Sequence, residues 1–102
     1  MITFEASRDA QGAVCAFVVR NHGASHVCAA VSVLVLNTIN AVEALTDATF
    51  RCDHAPEGGF IDFALVTTRD EPAGRGAGLL LDAMMLGLNS IKAQYPQEFE
   101  SV

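Results

Sequence analysis

Tryptophan is absent from this 102-residue chain, tyrosine occurs once and proline three times. The core must therefore come mostly from Val, Leu, Ile and Ala, with six phenylalanines as its large rings. Basic residues are scarce: six Lys and Arg stand against twelve Asp and Glu, for a net charge of −6. Phosphate binding needs clustered Lys and Arg, so this balance argues against a nucleic-acid partner. A basic peptide or protein suits it better. Cysteine is limited to Cys15, Cys28 and Cys52, an odd and widely spaced set with no Cys-x-x-Cys pair. That excludes a disulfide framework and a standard zinc or redox motif. The opening residues, Met1-Ile2-Thr3-Phe4-Glu5, lack the basic-then-apolar pattern of a signal peptide. The longest apolar run, Val27 to Leu36, is ten residues and contains Ser32, too short to span a bilayer. The expectation is a cytoplasmic protein with reduced thiols and no membrane contact.

What is present points to a folded chain. Hydrophobic residues make up 51% and charged residues 18%, a composition that buries a core. Residues 1–102 are read as a single domain. Ile2 to Ser7 alternates with Ile2, Phe4 and Ala6 on one face, a strand. Arg8 to Gly12 reads as a hairpin loop, and Ala13 to Arg20 as a second strand, apolar on both faces and so inside the sheet. From Val27 to Thr46 the valines favour a strand by propensity. The length, the alanines and the spacing of Val27, Val31, Leu34, Thr38, Val42 and Leu45 favour a helix instead, which is our reading. Ala48 to His54 alternates again, with Phe50 and Cys52 inward and Arg51 and Asp53 outward. Pro56-Glu57-Gly58-Gly59 is a turn, and Phe60 to Thr67 the returning strand. Arg69 to Gly78 reads as a polar, glycine-rich loop. Leu79 to Tyr95 is a second helix burying Leu80, Met84, Leu88, Ile91 and Tyr95, stopped by Pro96. The order ββαββα predicts an α+β two-layer sandwich: a mostly antiparallel four-stranded sheet with both helices on one face. The apolar first helix and second strand point to self-association.

The segment from Asn21 to Cys28 is the most informative for chemistry. Ser25 is a good N-cap, which makes Cys28 the third helical residue, beside unsatisfied backbone N–H groups and the positive end of the helix dipole. A helix terminus stabilises an anion by about 0.3–1 kcal/mol, and one pKa unit is about 1.4 kcal/mol. The dipole alone therefore lowers a thiol by about a unit, and a nearby imidazolium must supply the rest. His22 can fold back to supply it, whereas His26 lies two residues away on a different side of the helix. The plainer reading makes Cys28 a small hydrophobe of a core helix and His22 a solvated loop residue. A third reading joins His22, His26 and Cys28 with Cys52 or His54 in a zinc site, although the spacing matches no standard pattern. Cys52 with His54 reads as a core thiol beside a strand-end imidazole, and Cys15 as packing. Gly74-Arg75-Gly76-Ala77-Gly78 precedes a helix but has neither a dinucleotide fingerprint nor a P-loop lysine, so a flexible loop is the better account.

At Val27-Cys28-Ala29-Ala30-Val31-Ser32, followed by Asn40, the chain resembles the ribosomal-processing cysteine protease family, Prp. The resemblance continues through Gly58-Gly59-Phe60, Leu79 to Leu88 and Gln94-Tyr95-Pro96, and so covers nearly the whole chain. It implies a homodimeric cysteine endopeptidase of the bacterial cytoplasm, needing no cofactor or metal. Such an enzyme removes a short N-terminal extension from the precursor of large-subunit ribosomal protein twenty-seven, cutting after an aromatic residue. It further implies Cys28 as nucleophile and His22 as general base. Against the family pattern, the loop before Cys28 is shorter, and Ser25 and His26 stand near the place of an acidic residue. The rival class is a non-catalytic homodimeric binding protein on the same fold.

Overall fold

The computed structural model describes residues 1–21, 25–56 and 58–101. Strands β1 (Ile2–Arg8) and β2 (Val14–Asn21) form the first hairpin, helix α1 (Ser25–Leu45) follows, and β3 (Phe50–His54) and β4 (Phe60–Leu65) form the second hairpin. Helix α2 (Pro72–Gln94), a 3₁₀ turn (Pro96–Glu98) and β5 (Phe99–Ser101) complete the order.

The sheet runs β3-β4-β2-β1-β5. β2 lies between β4 and β1, which is why it is apolar on both faces. The expected order ββαββα holds, but the sheet has five strands rather than four and is mixed, because β5 pairs parallel to β1. Three residues after a proline-stopped helix are too few to show a period, so β5 leaves no pattern in the sequence. Phe99, only 6% exposed, settles beside Ile2.

The first turn is built by Asp9. Its carboxylate accepts from the N–H groups of Gln11 (2.9 Å) and Ala13 (3.0 Å). Gly12 takes φ +82°, which L side chains avoid. On the helix-facing side of the sheet, Phe4, Phe17, Phe63 and Phe50 stack in a row with ring centroids 5.2, 5.1 and 5.3 Å apart, one ring from each of β1, β2, β4 and β3.

Helix α1 seats on this row through Val27, Val31, Val35 and Ile39, and Val42 is buried further along the same line. By length and composition it could cross a membrane, which the ten-residue apolar run did not suggest. Here it is the core helix: Val31, Val35 and Val42 are wholly buried. Burial at helical spacing overrides the β propensity of valine. The buried hydroxyl of Thr38 donates to the Leu34 carbonyl (2.7 Å), so it is not left unpaired in the core. The helix stops where the Thr46 hydroxyl donates to the Val42 carbonyl and accepts from the Ala48 N–H.

Helix α2 begins at Pro72, seven residues before the expected start at Leu79, and takes in the glycine tract that reads as a loop. Proline at the first helical position favours that start. The glycines serve close packing. A methyl at Gly74 would run into the Thr68 carbonyl, and one at Gly78 into the Arg69 guanidinium. Arg69 is held there by a two-pronged bond to Asp82 and by donation to the Val14 carbonyl (2.8 Å). The buried stripe is Ala77, Leu81, Met84 and Leu88; Leu81, four residues after Ala77 and three before Met84, takes the place expected of Leu80. Along the antiparallel α1–α2 contact, Gly87 meets Leu34, and Gly76 faces Thr46.

Gly74 and Gly76 sit one turn apart or less in the same helix and give opposite expectations. Ala at 74 collides with backbone and should cost roughly 1–3 kcal/mol. Ala at 76 meets the Thr46 methyl at 3.4 Å and should stabilise by up to about 1 kcal/mol through helix propensity. Urea denaturation of Gly74→Ala and Gly76→Ala checks the difference in sign.

Candidate active site

Cys28 lies on the opening turn of α1. The helix begins at Ser25 itself, so Ser25 is the first helical residue rather than the cap, and Cys28 is the fourth rather than the third. Nothing in Ser25 to Val27 resists one more helical residue, and helix ends are legible from sequence only to a residue or two. Cys28 remains in the turn over which the helix-end field acts. Val27, 1% exposed, points into the core just before it. Cys28 is half-buried and packs against the edge of the core.

One turn on, Ser32 shares the face of Cys28 and lines a cavity of 310 Å³ between α1 and the β3–β4 hairpin. Val35 and Leu36 continue the α1 wall. The opposite wall is the hairpin end, with His54, Pro56, Gly59 and Phe60. This wall exists because Gly58 and Gly59 both take φ +84°, and the Ala55 carbonyl accepts from the Gly58 N–H (2.9 Å). The sequence reads Pro56-Glu57-Gly58-Gly59 as a turn alone; its glycines carry no sign that the turn would face α1.

His22 lies outside the described residues. His26 turns away from the cavity, with its ring edge-on to Tyr95 at the end of α2 (5.4 Å between centroids, 77° between planes). That agrees with its expected place on a different side of the helix from Cys28.

The other thiols sit in different surroundings. The Cys15 thiol donates to the Ser7 carbonyl (3.6 Å). Burial on the inner face of β3 pushes the Cys52 thiol up, with the charges of Asp53 and Asp62 adding to the effect and Arg51 opposing it. Among the described residues no three His, Cys, Asp or Glu side chains gather to hold a metal ion; His22, the remaining ligand of the zinc reading, lies outside them. A second cavity, of 400 Å³, lies between the β1–β2 turn and the segment before α2. Its polar groups already serve the fold. Asp9 holds the turn, Arg69 holds Asp82, and the Thr68 hydroxyl donates to Asp70, which keeps that carboxyl below its ordinary value.

Comparison with known proteins extends this picture. The family model described as cysteine protease Prp matches residues 1–100. The ribosomal processing cysteine protease Prp of Bacillus subtilis (strain 168) is 32% identical over 74 residues, which span 72% of this chain and 66% of the relative, a little under two thirds of its length. A crystal structure of the essential ribosomal processing protease Prp from S. aureus, in complex with a covalently linked product peptide, superposes with a TM-score of 0.89 at 25% identity, over 99% of this chain and 97% of that one. A Streptococcus mutans protein of known structure gives a TM-score of 0.82 at 29% identity, over 99% and 91%. Matched along almost its whole length, this chain belongs to the Prp family of cysteine proteases, hydrolases of peptide bonds.

Proposed function

We propose that this protein is a cysteine endopeptidase that removes the N-terminal extension of a ribosomal protein precursor, large-subunit protein twenty-seven, with Cys28 as nucleophile and His22 as general base. The observation that carries the reading is the place of Cys28: on the first turn of α1, on the face that continues through Ser32 into an apolar cavity. In support, the B. subtilis relative is a ribosomal processing protease, and the S. aureus structure holds a covalently linked product peptide.

In the proposed reaction His22 takes the thiol proton as the Cys28 sulfur attacks the scissile carbonyl. The proton then passes to the leaving amine and the C–N bond breaks, leaving a thioester. Water, deprotonated by His22, hydrolyses the thioester and restores the thiol. Backbone N–H groups at the start of α1 are suited to hold the oxyanion. The cavity takes the aromatic side chain before the cut; a space of about 150 Å³ already admits benzene, and this one offers 310 Å³. A net charge of −6 favours basic residues beyond the cut. The helices carry Val33, Leu79 and Leu86, all exposed, which favours a homodimer. A ribosomal precursor as substrate would put this work in the cytoplasm.

Two measurements test the reading. Incubated with a precursor peptide that carries the extension, the freshly reduced protein should cut it once. Cys28→Ala should abolish cleavage, and His22→Gln should lower kcat/KM by roughly 10²–10⁴-fold. Wild-type protein that leaves the peptide intact would instead favour the binding-protein reading. At neutral pH iodoacetamide should modify Cys28 fastest and Cys52 slowest, because the raised thiol of Cys52 holds less thiolate. Mass-resolved peptide mapping over time gives the three rates.

A further inference from the structure

We propose that Tyr95 is a positioning residue for Cys28, acting through His26. The inference rests on the reading of Cys28 as the nucleophile. The buried line from Val27 to Val42 sets the roll of α1 as a whole, but in its first turn Val27 is the one fully buried side chain among the described residues, and a helix end can still twist locally by a small angle. His26 and Cys28 flank Val27 and point to nearly opposite sides, because two residues advance about 200° around a helix. A contact that holds His26 therefore sets the direction of the Cys28 sulfur. His26 makes such a contact, edge-on with the Tyr95 ring at 5.4 Å. A roll of about 20° would carry the sulfur roughly 1.5 Å sideways, a displacement that slows an oriented reaction severely.

Tyr95 is a firm post for this purpose. It ends α2, with its N–H donating to the Ile91 carbonyl (3.0 Å). Its backbone leaves the helix at φ −132°, ψ 57°, and Pro96 opens the 3₁₀ turn immediately after it. Its carbonyl accepts from the Glu98 N–H (3.0 Å), and the chain then enters β5, where Phe99 is buried beside Ile2. The half-buried Tyr95 ring packs against the core. His26, by contrast, is exposed, so the Tyr95 ring supplies the fixed half of the pair. The end of α2 thus braces the beginning of α1 at the turn that carries Cys28.

The test compares Tyr95→Leu, Tyr95→Phe, His26→Ala and His26→Phe with wild type in the full chain. The readouts are the iodoacetamide rate at each cysteine, resolved by mass, and kcat and KM on the precursor peptide. Tyr95→Leu and His26→Ala should each slow alkylation of Cys28 and lower kcat by about tenfold, with KM within twofold and Cys15 and Cys52 unchanged. Tyr95→Phe and His26→Phe keep a ring contact and should restore wild-type values. Because His26 is exposed, His26→Ala keeps the test open if Tyr95→Leu fails to fold. Leu81→Val, buried in the other half of α2, serves as the stability control and should leave the Cys28 rate unchanged. The inference is overturned if Tyr95→Leu and His26→Ala both react as wild type does. It is equally overturned if Phe at 95 fails to restore the rate, or if Leu81→Val slows Cys28 as much. Alkylation needs no proteolysis, so an uncut peptide beside a slowed Cys28 would end the protease reading and leave the positioning role standing.

Discussion

Four phenylalanine rings stacked across four strands set the terms for the rest of the molecule. Phe4, Phe17, Phe63 and Phe50 lie on the helix-facing side with centroids 5.1 to 5.3 Å apart. Slipping any strand by one residue would turn its ring to the other face and break the row. The row therefore holds β1, β2, β4 and β3 in register, and the sheet becomes a platform of defined shape. Helix α1 can bury a single line of valines on that platform in one way only, which fixes where its first turn arrives.

From this follows the division of labour within α1. Its inward line carries the packing, and the side chains beside that line do other work. Ser32 lines the cavity at the β3–β4 hairpin, with Cys28 one turn before it along the helix, while His26 looks toward α2. A chain of nearly continuous apolar character thus presents three different faces, because a helix distributes neighbours in sequence around its circumference. The same valines in a strand would have shown only two.

Much of this was legible from residues alone. Alternation in Ile2 to Ser7 and in Phe50 to His54 identified inward and outward positions that the sheet respects. The glycine turns placed both hairpins. Cys28 was locatable to the first turn of a helix from the pattern around Ser25, though one residue out, since helix boundaries are weakly encoded. What stayed hidden has physical reasons. The start of α2 was masked because Gly74, Gly76 and Gly78 disfavour a helix locally; close packing against Thr68 and Arg69 explains Gly74 and Gly78. β5 depends on pairing with β1, nearly a hundred residues away in the chain. The cavity that Ser32 lines has walls from α1 and from the second hairpin, and no local pattern announces such a meeting. The placement of His22 relative to Cys28 is outside the described residues, so that part of the site rests on the sequence.

The meeting of Leu34 with Gly87 carries a constraint on how this fold can vary. A methyl at 87 would lie 2.8 Å from a terminal carbon of Leu34, so the two positions share one volume across the helix pair. Enlarging one side demands shrinking the other, and a single-site library at either position would sample only half of the acceptable solutions. Exchanging bulk between the two helices, with a small residue at 34 and a larger one at 87, preserves their spacing where either change alone forces them apart or leaves a hollow.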